Sequence, residues 1–130
     1  MDAIRIEHVA IWVRDLERMR QFYVAMLGAK CGTPYQNPRT GFRSIFVSFA
    51  DGARVELMSQ SGQLQGQSEQ CCFGYAHLAL SLGTRAAVDA TVARLESHGV
   101  VVLSQARVTG DGYYEAALAD PEGNRIELVA

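Results

Sequence analysis

Two histidines and two glutamates stand out because each has a counterpart of its own kind in the other half of the chain. His8 begins the segment His-Val-Ala-Ile, and His77 begins the similar segment His-Leu-Ala-Leu. Glu56 lies in Arg-Val-Glu-Leu and Glu127 in Arg-Ile-Glu-Leu, at almost the same separation as the two histidines. Imidazole nitrogens and carboxylate oxygens bind divalent transition metals, and a carboxylate can also accept a proton during catalysis. The four residues are therefore candidates for a metal centre with acid–base chemistry.

The repeated motifs indicate an internal duplication. The remaining matches stand in the same order and at the same separation as the two glutamates, namely Gly28 with Gly99 and Asp51-Gly52 with Glu122-Gly123. We therefore predict two modules, at residues 1–58 and 73–130. The connector at 59–72 is rich in Gln, Ser and Gly, a composition typical of a flexible linker.

Both modules are predicted to have the element order βαβββ, which makes the fold class α+β. Hydrophobic periodicity and turn residues predict, in the first module, a strand at 4–13, a helix that Asp15 caps and Gly28 ends, and strands at 29–36, 42–50 and 53–59. They predict, in the second, a strand at 74–82, a helix that Thr84 caps and Gly99 ends, and strands near 100–105, 112–119 and 124–130.

The alternation of side chains along a strand places the four polar residues on one kind of face. In the strand of His8 the opposite face is aliphatic and must cover the helix, and both glutamates stand between aliphatic neighbours. Each module thus presents one histidine and one glutamate on the sheet face turned away from its helix. One such residue alone is typical of a hydrogen-bonded core histidine or a solvated sheet face. The duplicated set favours a divalent cation, of which Zn, Ni, Mn, Co and Fe suit these donors.

Composition excludes several classes of function. The 130 residues are 48% hydrophobic and 20% charged, and the net charge is −2 without a basic stripe. We therefore expect no nucleic-acid partner. The apolar runs are far shorter than the ~20 residues that cross a bilayer, so we expect no membrane partner either. The N-terminus has charges where a signal peptide needs an apolar core, which predicts a cytoplasmic protein.

Three segments carry a resemblance to a known superfamily. They are FYVAMLG at 22–28, YAHLAL at 75–80 and DPEGNRIEL at 120–128. Together with the doubled module, they resemble the vicinal oxygen chelate (glyoxalase / bleomycin resistance / dioxygenase) superfamily over essentially all 130 residues. The resemblance implies a single domain in which the modules form a cupped, mostly antiparallel sheet with helices on the outside. It also implies a small-molecule substrate and a homodimer. It does not decide whether the two modules of one site come from the same chain (closed) or from two chains (exchanged).

The set His8, Glu56, His77 and Glu127 is similar to that of glyoxalase I. The resemblance implies that these side chains hold one divalent metal ion and that the protein is a lyase or isomerase acting through a metal-stabilised enediolate. Glu127 would be the proton-transfer base and Glu56 its partner.

Other positions bear on the substrate. Trp12 stands where glyoxalase I carries an Arg that pairs with a glutathione carboxylate, so a substrate built on something other than glutathione is expected. Gln60 replaces the Asn typical of that family, and strand parity adds Phe46 and Tyr113 to the predicted substrate-binding residues.

Three alternatives within the superfamily stay open. They are an epimerase, which usually has Gln at position 56, an extradiol-type dioxygenase, and a metal-free protein that binds a small molecule or an antibiotic.

Overall fold

The computed structural model describes residues 3–62 and 74–130, which belong to two units, Met1–Gly66 and Gln67–Ala130. The first unit contains β1 (His8–Trp12), α1 (Leu16–Gln21), a π-helical segment (Phe22–Met26), β2 (Lys30–Cys31), β3 (Tyr35–Gln36), β4 (Arg43–Ser48) and β5 (Arg54–Ser59). The second contains β6 (Leu78–Ser81), α2 (Arg85–Ser97), β7 (Val101–Val108), β8 (Tyr114–Ala119) and β9 (Arg125–Val129).

In the first unit, β5 lies between β1 and β4. The strand order is β1-β5-β4-β2, and β3 pairs with β4 beside β2. β1 runs parallel to β5, and the remaining pairs are antiparallel. The register sets Glu56 beside Ala10 on one side and Phe46 on the other. The central strand therefore carries the glutamate that the sequence singled out.

The second unit repeats this topology with the order β6-β9-β8-β7. β6 runs parallel to β9, and β9 is antiparallel to β8. Glu127 has Ala79 and Ala117 as its register partners, which is the arrangement of Glu56 in the first unit. Both sheets are open, and the predicted α+β fold with mostly antiparallel pairing is confirmed.

One face of each sheet packs against its helix and forms the core. Side chains alternate along a strand, so every second residue of the two central strands is buried. The buried apolar residues of the first unit include Leu16, Met19, Tyr23, Ile45, Val47, Val55 and Leu57. Those of the second include Val88, Val92, Leu95, Ala116, Leu118, Ile126 and Leu128. The opposite face carries Glu56 and Glu127 together with their register partners.

The element boundaries correct four predictions. The strand predicted at 4–13 is shorter and begins at His8. The predicted strand 29–36 is two short strands, β2 and β3, and the first helix widens to π geometry after Gln21 instead of continuing as an α-helix. The strand predicted at 74–82 is shorter, so His77 lies immediately before β6. The predicted caps Asp15 and Thr84 are confirmed, because their side chains accept from Arg18 N–H and Ala87 N–H.

Most of the predicted connector, residues 63–72, lies outside the described residues. Its first residue, Ser59, still belongs to β5. The module boundaries 1–58 and 73–130 stay predictions. Among the described helices, none has the length and apolar character to cross a membrane.

The cap of α2 gives a test of the second unit. The Thr84 hydroxyl accepts a hydrogen bond from Ala87 N–H at 3.1 Å. We expect Thr84→Ala to lower the free energy of unfolding by about 1 kcal/mol, because the amide loses its partner. Thr84→Ser keeps the hydroxyl and serves as the control in urea denaturation. Equal stability of the two variants would contradict a capping role.

Candidate functional site

The first unit brings His8 and Glu56 together on the sheet face opposite its helix. Val55 and Leu57, the neighbours of Glu56 in β5, are buried against the helix side. His8 begins β1, and its Nε2 lies 3.7 Å from Glu56 Oε1. The histidine side chain is 41% exposed and the glutamate side chain 16%. The pair is thus reachable from solvent although its carboxylate is mostly covered.

The second unit forms the corresponding pair. His77 Nε2 lies 3.1 Å from Glu127 Oε1, and the two side chains are 38% and 14% exposed. The other carboxylate oxygen, Glu127 Oε2, accepts a hydrogen bond from Arg125 Nε at 3.2 Å. Ile126 and Leu128 on either side of Glu127 are buried. Duplicated sequence positions therefore have duplicated geometry.

The His77–Glu127 separation fits the donor spacing that a divalent ion requires, and the His8–Glu56 separation is slightly longer. Nitrogen and oxygen ligands at about 2.1 Å from an ion lie about 3.0 to 3.4 Å from one another. The separations of 3.1 and 3.7 Å in the two pairs are close to that range. Mixed imidazole and carboxylate donors suit Zn, Ni, Mn, Co and Fe.

Each unit contains two of the four residues that the sequence predicts as metal ligands. Within residues 3–62 and 74–130, neither unit brings three or more His, Cys, Asp or Glu side chains together in a group able to hold a metal by itself.

A cluster of charged and aromatic side chains surrounds His8. Glu7 contacts His8 Nδ1 through one carboxylate oxygen and Arg54 through the other. These hydrogen bonds, the one from His8 first, lower the pKa of the Glu7 carboxyl. The guanidinium of Arg54 lies 4.0 Å from the ring centre of Phe46, and the Phe46 ring meets the imidazole of His8 edge-on at 5.4 Å.

A second carboxylate accompanies Glu127 in the other unit. Glu115 lies on β8 on the same sheet face, two residues from Ala117, which is the register partner of Glu127. The hydrogen bond that Glu115 shares with Glu127, together with burial, raises the pKa of the Glu115 carboxyl. The predicted base therefore has an acidic neighbour as well as the cation Arg125.

The four predicted substrate-binding residues are not equally close to these pairs. Phe46 touches His8. Trp12 lies at the far end of β1, where its ring packs against Phe42 at 6.2 Å. Gln60 follows β5 and donates to the Thr40 carbonyl at 3.4 Å. Tyr113 precedes β8 and is 57% exposed. Their role in binding stays a prediction.

Sequence reasoning assigned no role in the site to Glu7, Arg54 or Arg125. The arginines stand two residues before Glu56 and Glu127, and strand parity places each on the glutamate's face. That signal was present in the repeated Arg-X-Glu pattern. Parity in the predicted strand 4–13 puts Glu7 on the face opposite His8, whereas in the structure Glu7 precedes β1 and contacts His8.

Three proteins with similar sequences are enzymes with different activities. The lactoylglutathione lyase of Salmonella typhimurium is 27% identical over 126 residues, which cover 97% of this chain and 92% of the relative. The catechol-2,3-dioxygenase of Bacillus subtilis is 29% identical over 126 residues, covering 96% and 41%. The mitochondrial methylmalonyl-CoA epimerase of Bos taurus is 40% identical over 58 residues, covering 45% and 33%. Because the three relatives catalyse different reactions, sequence similarity does not identify the reaction of this chain.

Solved structures share the fold. The trypanothione-dependent glyoxalase I of Leishmania major superposes with a TM-score of 0.79 at 25% identity, covering 98% of this chain and 86% of that one. A glyoxylase/bleomycin resistance protein/dioxygenase domain from Frankia sp. gives a TM-score of 0.83 at 19% identity, covering 98% of both chains. The family model for this superfamily matches residues 5–128. The chain therefore belongs to the glyoxalase/bleomycin resistance protein/dioxygenase superfamily.

Proposed function

We propose that this chain is a divalent-metal-dependent lyase or isomerase of the glyoxalase I type. The observation that carries the proposal is the pair of matching His–Glu contacts at duplicated positions, 3.7 Å in one unit and 3.1 Å in the other. His8, Glu56, His77 and Glu127 together would hold one ion per site. The similarity to lactoylglutathione lyases along nearly the whole chain supports this choice.

The ion, when bound, supplies a positive charge that favours the loss of a proton from carbon next to a carbonyl group. Glu127 is the proposed base, since its carboxylate is mostly covered and has Arg125 and Glu115 as polar neighbours. It takes the proton from one carbon of the substrate and returns it to the adjacent carbon. Glu56, the matching carboxylate, lies on the other module and is the proposed partner of Glu127.

A hemithioacetal of a thiol other than glutathione is the proposed substrate. Trp12 is 52% exposed and forms an aromatic surface with Phe42 and Tyr35. This surface replaces the arginine that would bind a glutathione carboxylate. The similar enzyme from Leishmania major depends on trypanothione, so a protein with this fold can use a thiol other than glutathione itself.

Metal content tests the proposal. We expect the purified protein to hold about one ion per chain after incubation with Zn, Ni, Mn or Fe(II), because each chain carries one set of four ligands. We expect His77→Ala to lose that ion. His98→Ala is the matched control, since His98 caps α2 through its contact with the Arg94 carbonyl. Elemental analysis of the three proteins measures the outcome.

Absence of stoichiometric ion in the wild type under every condition would contradict the proposal and favour the metal-free binding protein. If the ion is present, hemithioacetals, acyl-CoA thioesters and catechols separate the enzymatic alternatives. Hydrogen exchange next to a thioester carbonyl would identify an epimerase, the activity of the relative that is 40% identical over 58 residues. A requirement for Fe(II) and oxygen would identify a dioxygenase.

We further propose that the protein is a cytoplasmic homodimer. Each unit carries half of the proposed ligand set. The four ligands of one site could therefore come from one chain or from two chains of the dimer. Sedimentation of the metal-loaded protein distinguishes a monomer from a dimer.

A further inference from the structure

In the first unit, Glu7 and Phe46 contact His8, and Arg54 contacts both of them. Glu7 contacts His8 Nδ1 and, through its other oxygen, accepts from Arg54 Nε at 2.8 Å. The backbone is tied as well, because Arg54 N–H donates to the Glu7 carbonyl at 3.0 Å. Arg54 lies over Phe46, whose ring meets His8 at an interplanar angle of 88°. Glu7, Arg54 and Phe46 therefore restrain both the position and the plane of the imidazole.

Within residues 74–130 the second unit does not repeat this arrangement. The position that corresponds to Glu7 is Ala76, which has no carboxylate. Arg125, the counterpart of Arg54, donates instead to Glu127 at 3.2 Å. The arginine two residues before the glutamate therefore has a different partner in each unit, Glu7 for Arg54 and Glu127 for Arg125. Glu7 gives Arg54 a partner other than Glu56.

We propose that Glu7 is a positioning residue for the first half of the metal site, an inference that rests on the proposed function. Its carboxylate accepts the Nδ1 proton of His8, which leaves the Nε2 lone pair directed at the side where Glu56 lies. Its bond to Arg54 also keeps that cation from occupying the Glu56 carboxylate. Glu7 thereby prepares both ligands of the first unit, whereas the second unit has no equivalent residue.

The histidine tautomer tests the first part without metal. In ion-free protein at about pH 8.5, we expect ¹⁵N chemical shifts to place the ring proton of His8 on Nδ1. Glu7→Ala should shift His8 toward the Nε2-protonated form. Glu17→Ala is the matched control, because Glu17 is also an exposed carboxylate paired with an arginine, Arg20. An unchanged His8 tautomer in Glu7→Ala would overturn the proposal.

Metal affinity tests the second part. Competition with a chromophoric chelator for Zn²⁺ should show affinity lowered about 10- to 100-fold in Glu7→Ala and unchanged in Glu17→Ala. Equal losses in both variants would assign the effect to net charge and overturn the proposal, as would an unchanged affinity in Glu7→Ala. If the wild type itself binds no Zn²⁺, the proposed function fails, while the tautomer measurement still decides whether Glu7 orients His8.

Discussion

Glu127→Gln is expected to lower turnover by about 10²- to 10⁴-fold on whichever hemithioacetal the wild type converts, because a general base contributes that much to proton transfer. The amide has nearly the shape of the carboxylate and keeps an oxygen that can bind an ion, but it cannot accept the proton. Glu127 lies between the buried residues Ile126 and Leu128, so the backbone should hold the new side chain in the same place.

The measurement is kcat together with the rate at which the substrate's carbon-bound hydrogen exchanges with deuterated solvent. Both should fall together in protein that elemental analysis shows to be loaded with the ion, at an ion concentration high enough to offset the weaker binding of an amide ligand. Glu96→Gln controls for the loss of one charge, since Glu96 is exposed on α2 in the same unit and contacts Gln105. Near-normal turnover in Glu127→Gln would exclude Glu127 as the base. A fall in turnover without a fall in hydrogen exchange would assign it to another step.

Strand parity predicted which face of each sheet carries the polar residues, and it did so for a physical reason. In β5 and β9 the buried residues alternate with the glutamates, and an extended backbone sends neighbouring side chains to opposite faces. The repeat then predicted that both modules would share one topology, which the matching strand orders confirm. The His–Glu contact within each unit also needs β1 beside β5 and β6 beside β9, and parity and the repeat do not predict those pairings.

Local backbone geometry and non-repeated contacts could not be predicted in the same way. The apolar spacing after Asp15 fits an α-helix throughout, but the segment Phe22–Met26 has π geometry, in which Phe22 and Tyr23 both reach the core. The predicted strand at 29–36 has only short pairings with β4, so β2 and β3 are separate. The Glu7 contacts depend on a strand that begins at His8 and not at residue 4, a boundary that the periodicity did not predict.

Leu57→Ala is expected to lower the free energy of unfolding by about 2 to 5 kcal/mol, the range for removing a buried leucine side chain. Leu57 is 0% exposed and lies between Ile11 and Ile45 in the sheet register. A domain of this size has about 5 to 15 kcal/mol of stability, so the loss should be plain in urea denaturation. Ile4→Ala is the control, because Ile4 is 86% exposed and should change stability little.

The neighbouring residue gives the complementary result, because it lies on the other face of the same strand. Glu56→Gln should leave the unfolding transition near that of the wild type and weaken the binding of the divalent ion, since its side chain faces His8 and not the core. Leu57→Ala, measured well below its denaturation midpoint, should bind the ion with nearly normal affinity. If instead Leu57→Ala lost the ion while still folded, or Glu56→Gln unfolded readily, the helix-facing side and the ligand-bearing side of β5 would not have the separate roles that their burial indicates.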